Sequence, residues 1–150
     1  IGVVMLLAAL WVSQPLSYKT WLNAIGDVPI TSFVPVTTAA ELQRKINQSD
    51  KPVFVDIYAD WCRSCIEMER KVFPDARVQS AFSKMILLRV DMTKFTDEDA
   101  AILASLQLYG PPAMLVFEPV QGQEVMRIIG FQETNAFAQN LNQALSTAEQ

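Results

Sequence analysis

The chain of 150 residues is long enough for one globular domain with a single hydrophobic core. Its 16 acidic and 12 basic residues give a net charge of −4, and no cluster of Lys and Arg alternates with aromatic residues, which argues against a nucleic-acid partner. The chain contains no histidine, so catalysis by a Ser-His or Cys-His pair and a zinc site built on imidazole are excluded. Acid-base chemistry must therefore come from carboxylates, Lys, Tyr or Cys.

The N-terminal segment is strongly apolar, and no charged residue occurs before position 19. Because Trp11, Tyr18 and Trp21 suit a membrane interface, we expect residues 1–18 to be the end of a transmembrane helix. Two alternatives stay open, namely the end of a signal peptide's apolar region and an apolar helix packed on the domain. Residues 19–36 mix Pro, Ser, Thr and isolated apolar residues without a period, which predicts a linker.

Hydrophobic periodicity divides the rest of the chain into elements in the order α-β-α-β-α-β-β-α. Thr38 and Glu41 fit a capping box at the start of the first helix, and Pro74 is expected to end or kink the second. Strands separated by helices imply parallel crossovers, whereas the two closing strands, joined by a turn at Gly122, imply a hairpin. The expected fold class is therefore α/β, with a central mixed β-sheet and helices on both faces. The predicted helices cover residues 38–48, 65–73, 96–108 and a C-terminal segment with Phe137, Leu141 and Leu145, and the predicted strands cover 51–59, 85–92, 113–118 and 124–131.

The only two cysteines, Cys62 and Cys65, lie where the first predicted strand ends and the second predicted helix begins. Free backbone N–H groups and the dipole at a helix N-terminus stabilise a thiolate, which makes Cys62 the expected nucleophile. Cys65 lies one turn further along, within reach of Cys62 but shielded from solvent. We therefore expect Cys65 to attack the mixed disulfide and release the reduced partner.

Three other interpretations of the cysteine pair remain open. A zinc site needs four ligands, so two cysteines without histidine would require carboxylates or a second chain. A purely structural disulfide closing so short a loop would remove little entropy from the unfolded chain. Two buried, inert thiols would also fit the spacing, although sites in open sheets tend to lie at strand ends such as this one.

Several motifs around the cysteines resemble a known family. The stretch "YADWCRSCIEMERKVF" at 58–73, with "GPPAMLVF" at 110–117 and "GQE…GF" at 122–131, is similar to the C-terminal periplasmic domain of the DsbD family, which are membrane thiol:disulfide interchange proteins. The resemblance implies a thioredoxin fold over residues 37–150. It also implies that the redox-active Cys62–Cys65 disulfide works without a bound cofactor or metal.

The same resemblance implies a function, that of a protein-disulfide reductase in a relay. The domain would take electrons from cysteines of a membrane-embedded domain and pass them to the N-terminal periplasmic domain of the same transporter. It would be attached to the bacterial inner membrane through its N-terminal segment and would face the periplasm. Two alternatives stay open: a membrane-tethered thioredoxin-like reductase for cytochrome c maturation, and a non-catalytic thioredoxin-fold binding module.

Two carboxylates match positions of the DsbD and thioredoxin pattern. Asp56, six residues before Cys62, corresponds to the buried acid beneath a thioredoxin-type site. On a buried strand its charged form is disfavoured, so its pKa is expected to be raised, which suits proton exchange with Cys65. The resemblance makes Glu69 a second carboxylate that moderates thiolate formation. The competing interpretations are a solvated Asp56 at a sheet edge and a solvated Glu69 on an exposed helix face.

Five further residues are expected to contact a partner. The resemblance places a cis-proline at Pro112, opposite the cysteines, where it would turn the preceding carbonyl towards a partner's extended chain. The neighbouring Pro111 is the alternative for this position. Trp61 stacks near such sites in the family, with simple core packing as the alternative. Arg63 and Ser64 lie between the cysteines, where the charge of Arg63 should favour the thiolate.

Overall fold

A computed structural model describes residues 32–149, and a five-stranded sheet lies at its centre. The strands are β1 (Val34–Pro35), β2 (Val53–Tyr58), β3 (Ile86–Asp91), β4 (Ala113–Phe117) and β5 (Glu124–Ile129). Their spatial order is β1-β3-β2-β4-β5. The strands β1, β3 and β2 run parallel, whereas β4 is antiparallel to β2, and β5 is antiparallel to β4. The predicted mixed sheet and closing hairpin are confirmed.

Helices cover both faces of this sheet. They are α1 (Ala39–Asn47), α2 (Arg63–Glu67), which continues as a π-helical turn (Met68–Val72), α3 (Ala76–Phe82), α4 (Asp97–Ser105) and α5 (Thr134–Ala148). The π turn, α3 and α5 contribute to one hydrophobic cluster, and α1 and α4 contribute to another. The sheet therefore separates two apolar cores, as in other three-layer α/β domains.

Alternation along β2 decides which face carries the functional side chains. Val53, Val55 and Ile57 belong to the core beneath α1 and α4, whereas Phe54 belongs to the core beneath α3, α5 and the π turn. Successive side chains of a strand point to opposite faces, so Asp56 shares the face of Phe54. This places a carboxylate beneath the helix that follows Cys62.

The helix α3 was not predicted from the sequence. Pro74 was expected to end the preceding helix, and no element was predicted between it and residue 85. In the structure Asp75 caps a new helix by accepting a hydrogen bond from the backbone N–H of Arg77 at 2.9 Å. Val78, Ala81 and Phe82 of this helix are buried. A proline that ends one helix can thus directly precede the N-cap of the next.

The sheet begins earlier than expected, because β1 lies within residues 19–36, which the sequence assigns to a linker. Val34 of β1 pairs with Leu88 of β3, and the following Val36 is buried. The transmembrane prediction for residues 1–18 and the linker prediction up to residue 31 lie outside the described residues. Among the helices of residues 32–149, none is long and apolar enough to cross a membrane.

Candidate active site

Cys62 and Cys65 form a disulfide at the C-terminal end of β2, with a Cα–Cα distance of 5.3 Å. Cys62 is the N-cap of α2, and its sulfur accepts a hydrogen bond from the backbone N–H of Cys65 at 3.2 Å. The predicted position at a helix N-terminus is therefore confirmed. Both residues are buried in this oxidised state, Cys62 being 6% and Cys65 3% exposed. The two cysteines are thus placed to form a disulfide, which argues against the interpretation as two buried, inert thiols.

The helix after the cysteines differs from the expected regular helix over residues 65–73. Only Arg63–Glu67 is α-helical, and the π-helical turn that follows is closed by a hydrogen bond from the N–H of Phe73 to the carbonyl of Met68 at 2.9 Å. Such π turns are often found at functional sites. Here the turn carries Glu69, whose side chain reaches back towards the sheet.

Asp56 is buried in β2, with 3% exposure. Burial, the largest effect, raises the pKa of Asp56 from 3.8 to about 6, although the neighbouring Arg89 pulls it in the opposite direction. The alternative of a solvated Asp56 at a sheet edge is wrong. The sulfur of Cys65 lies 4.0 Å from the carbonyl oxygen of Ile57, the residue that follows Asp56 in β2.

Arg89 of β3 links the two carboxylates beneath the cysteines. Its Nε donates to Oδ2 of Asp56 at 2.9 Å, and its Nη2 lies 2.6 Å from the same oxygen. Its Nη1 lies 2.6 Å from Oε1 of Glu69. The Glu69 side chain is only 13% exposed, so the alternative of a solvated helix Glu is wrong. One guanidinium therefore contacts two carboxylates, one carried by a strand and the other by the π turn.

Two aromatic rings enclose the Arg89 guanidinium. Its central carbon lies 4.4 Å from the ring centre of Phe33 and 4.5 Å from that of Tyr58. Contacts of this kind are favourable for a cation partly removed from water. Burial is also the main reason that the pKa of Tyr58 is raised to about 12, with its hydrogen bond to Asp60 adding to the effect. The charge cluster is thus shielded from solvent by two rings.

Arg89 is a functional residue that the sequence prediction missed. The available signal was a single cation in the otherwise apolar run "MILLRV" at residues 85–90. Its significance depends on the pairing of β2 with β3, which places Arg89 directly opposite Asp56. A buried charge on one strand needs an opposite charge nearby, often on the neighbouring strand. The strand register that places Arg89 opposite Asp56 could not be predicted from the sequence.

The peptide bond between Pro111 and Pro112 is cis, as the resemblance implied for Pro112. The next residue, Ala113, begins β4 and pairs with Ile57 of β2. The proline pair therefore lies at the same end of the sheet as Cys62. Beside it, the side chain of Tyr109 is fully exposed. An exposed aromatic ring and a cis-proline thus stand at the edge of the redox site.

Trp61 is 60% exposed, so the alternative of simple core packing is wrong. Its Nε1 donates to the carbonyl of Thr93 at 3.2 Å, which ties the ring to the loop after β3. Arg63 is exposed and Ser64 is half-buried, and both lie on the first turn of α2. Unlike Asp56 and Glu69, these residues face outward. Within residues 32–149, no group of three or more His, Cys, Asp and Glu side chains is placed to hold a metal ion.

Comparisons with known proteins fit this geometry. The sequence profile of the family described as Thioredoxin-like matches residues 35–119. The chain belongs to this thioredoxin-like family. The mixed sheet and the Cys-x-x-Cys pair at a helix N-terminus agree with this family. The predicted thioredoxin fold is confirmed.

The relatives include proteins named thiol:disulfide interchange protein DsbD. The protein of Ralstonia nicotianae is 40% identical over 114 residues, which cover 76% of this chain and 19% of the relative. The protein of Klebsiella pneumoniae is 36% identical over 145 residues, which cover 94% of this chain and 24% of the relative. The chain therefore spans about a fifth to a quarter of the length of these relatives.

Solved structures are similar as well. The C-terminal domain of Neisseria meningitidis DsbD in its oxidised form is 29% identical and superimposes with a TM-score of 0.62, covering 74% of this chain and 99% of that domain. Mitochondrial thioredoxin 3 of Saccharomyces cerevisiae, at 23% identity and a TM-score of 0.57, covers 75% of this chain and 95% of its own and shares the fold. The resemblance to the DsbD family that the motifs around Cys62 indicate is thus confirmed.

Proposed function

We propose that this domain is a thiol:disulfide oxidoreductase that relays electrons through the Cys62–Cys65 pair. The observation that carries the proposal is the disulfide at the start of α2 above a buried carboxylate, in a chain whose relatives are named thiol:disulfide interchange proteins. The disulfide is itself the redox group, so the proposed reaction uses no bound cofactor and no metal.

The proposed reaction is two successive exchanges. In the reduced state the Cys62 thiolate attacks a partner disulfide, forms a mixed disulfide and releases one partner thiolate. Cys65 then loses its proton and attacks the sulfur of Cys62, which releases the second partner thiolate. Two electrons pass to the partner, and the chain regains the disulfide seen in the structure.

Asp56 is the proposed acceptor of the Cys65 proton. Its pKa of about 6 lets the carboxylate be ionised near neutral pH, while keeping it a stronger base than an ordinary aspartate. Arg89 and Glu69 have a positioning role, since Arg89 holds the Asp56 carboxylate in place and Glu69 shares the charge of that guanidinium. Glu69, which the π turn carries, thereby also affects proton exchange at Asp56.

The proposed partners are other domains of a longer protein. The chain spans only part of its DsbD relatives, so the remaining length leaves room for a membrane-embedded domain that reduces Cys62–Cys65 and an N-terminal periplasmic domain that accepts the electrons. In this proposal the domain faces the periplasm and is attached to the bacterial inner membrane through residues 1–18. The exposed Trp61, Tyr109 and the cis-proline loop would contact the partner.

Trapping of the mixed disulfide tests this function. The dithiothreitol-reduced full chain is mixed with a disulfide substrate, and the products are followed by alkylation and mass spectrometry. We expect wild type to release both substrate thiols, Cys65→Ser to stop as a mixed disulfide through Cys62, and Cys62→Ser to do neither. Exchange that proceeds equally well in Cys62→Ser would refute the proposal and favour a non-catalytic binding module.

A further inference from the structure

A basic concavity lies beside the redox site, on the outer face of α2 and the π turn. It encloses about 240 Å³ and is lined by Arg63, Ile66, Glu67, Arg70 and Lys71. The face opposite to it packs into the core through Met68 and Val72. The concavity is therefore formed by the solvent-facing side of the same helical segment that carries the cysteines.

The charges lining this concavity do not cancel. Lys71 forms an ion pair with Glu67 at 2.6 Å, which also lowers the pKa of Glu67. Arg63 and Arg70 are both exposed, and within the described part of the chain neither has a carboxylate at ion-pairing distance. Three cationic side chains and one carboxylate thus line one hollow, although the chain as a whole carries a net charge of −4.

The concavity adjoins the sulfur that the proposed reaction uses. Arg63 directly follows Cys62, and Arg70 lies seven residues further along the same helical segment, which lines the concavity. Since Arg63 is the residue next to Cys62, a group bound by Arg63 is attached to the partner near the disulfide that Cys62 attacks. Guanidinium groups bind planar carboxylates well. The half-buried Ile66 offers an apolar contact for the aliphatic part of the partner that bears those carboxylates.

We infer that this basic concavity binds carboxylate groups that flank the partner's reactive disulfide, so that the domain exchanges faster with anionic than with neutral or cationic disulfides. The inference rests on the proposed function and adds a partner chemistry to it. The bound carboxylates take no part in bond making. They bring the partner disulfide to Cys62, and they make the encounter faster at low ionic strength.

Three small disulfides of nearly equal size and different charge test the inference. They are 3,3′-dithiodipropionate, which is anionic, bis(2-hydroxyethyl) disulfide, which is neutral, and cystamine, which is cationic. The reduced full chain is mixed with each in excess, and loss of free protein thiol is followed. Each reaction transfers two electrons, yields two small thiols and restores the Cys62–Cys65 disulfide. Because the leaving thiols differ in pKa, the rate ratios are compared between proteins and not between probes.

The readout is the rate ratio of the anionic to the neutral probe, because any change in Cys62 thiolate content affects both rates alike. We expect the double variant Arg63→Gln/Arg70→Gln to lower this ratio roughly threefold or more at low salt, and to raise the ratio of the cationic to the neutral probe. Added salt should shrink the ratio of wild type and leave that of the variant nearly constant.

The matched control is Arg44→Gln/Lys84→Gln, which removes the same total charge elsewhere. Arg44 lies on α1, on the opposite face of the sheet, and Lys84 precedes β3, at the end of the sheet away from Cys62. Both side chains are exposed. We expect this variant to keep the wild-type ratio, because local rather than total charge selects the probe.

Other outcomes are equally informative. Equal ratios in wild type and Arg63→Gln/Arg70→Gln, or equal losses in both double variants, would overturn the inference while leaving the redox function intact. If instead the concavity served an anionic membrane surface, the variant would lose binding to phosphatidylglycerol vesicles with its probe ratio unchanged, which also overturns it. Failure to exchange with any probe would contradict the proposed function itself.

Discussion

Asp56 carries a buried charge whose cost depends on pH. Its pKa is raised from 3.8 to about 6, so the folded protein holds this proton more tightly than the unfolded chain does. A carboxyl with a raised pKa favours the folded state below its unfolded pKa and loses that advantage as the pH rises through the folded value. The contribution of Asp56 to stability therefore falls between about pH 4 and pH 7.

We predict that the free energy of unfolding of the oxidised chain shows this fall, by up to about 3 kcal/mol, and that Asp56→Asn removes most of it. Urea titrations at several pH values in this range measure both proteins. The comparison uses the difference in pH slope, because the substitution also changes the partner of Arg89. Parallel pH profiles for the two proteins would show that Asp56 does not bind its proton in the proposed way.

The same substitution is expected to change the reactivity of Cys62. Above its own pKa the Asp56 charge opposes a second negative charge nearby, so Asp56→Asn should favour the Cys62 thiolate and move its titration to lower pH. The ultraviolet absorbance of the thiolate against pH measures this in the reduced chain, with the exposed Asp97→Asn as control. An unchanged titration curve would remove the coupling between Asp56 and the cysteines.

Arg89 is predicted to be important for stability because, within the described residues, it is the cation in contact with both Asp56 and Glu69. Arg89→Gln leaves two poorly exposed carboxylates without their cation, and we expect a loss of about 3 to 5 kcal/mol near pH 7. The loss should be smaller near pH 5, where Asp56, whose pKa is raised to about 6, takes up its proton. Adding Glu69→Gln to the variant should restore part of the stability, whereas a loss independent of pH would point to packing alone.

Short helical elements around the site depend on local caps. The helix α3 starts at Asp75, which accepts from the backbone N–H of Arg77 and forms an ion pair with its side chain. The buried residues of this helix pack against Phe54 and Phe73, so its stability supports the strand that carries Asp56. The N-cap Asp75 therefore helps to stabilise, through α3, the strand that carries Asp56.

We predict that Asp75→Ala lowers the free energy of unfolding by about 1 kcal/mol, the usual cost of losing an N-cap. Thermal unfolding followed by circular dichroism measures the change. The control is Asp50→Ala, an exposed acid in the loop before β2. Equal effects of the two substitutions would mean that the cap contributes nothing beyond the loss of one negative charge.

At the scale of the whole molecule, the sequence predicts a feature correctly wherever that feature depends on one strand or one helix alone. The burial of Asp56 follows from an apolar run, and the position of Cys62 follows from a strand that leads into a helix. Features that depend on contacts between distant segments of the chain could not be predicted from the sequence. The partnership of Arg89 with Asp56 depends on strand register, and the π turn that carries Glu69 departs from the regular period on which helix prediction rests.

The reduction potential of the Cys62–Cys65 pair tests the central claim most directly. The full chain would be equilibrated with glutathione redox buffers, and the reduced fraction would be read by alkylation and mass shift. A reducing relay predicts a potential close to those of thioredoxin and the glutaredoxins, roughly −270 to −200 mV. A potential near about −120 mV would make the domain an oxidant, and a pair that does not titrate would be purely structural, so either result would contradict the proposed direction of electron flow.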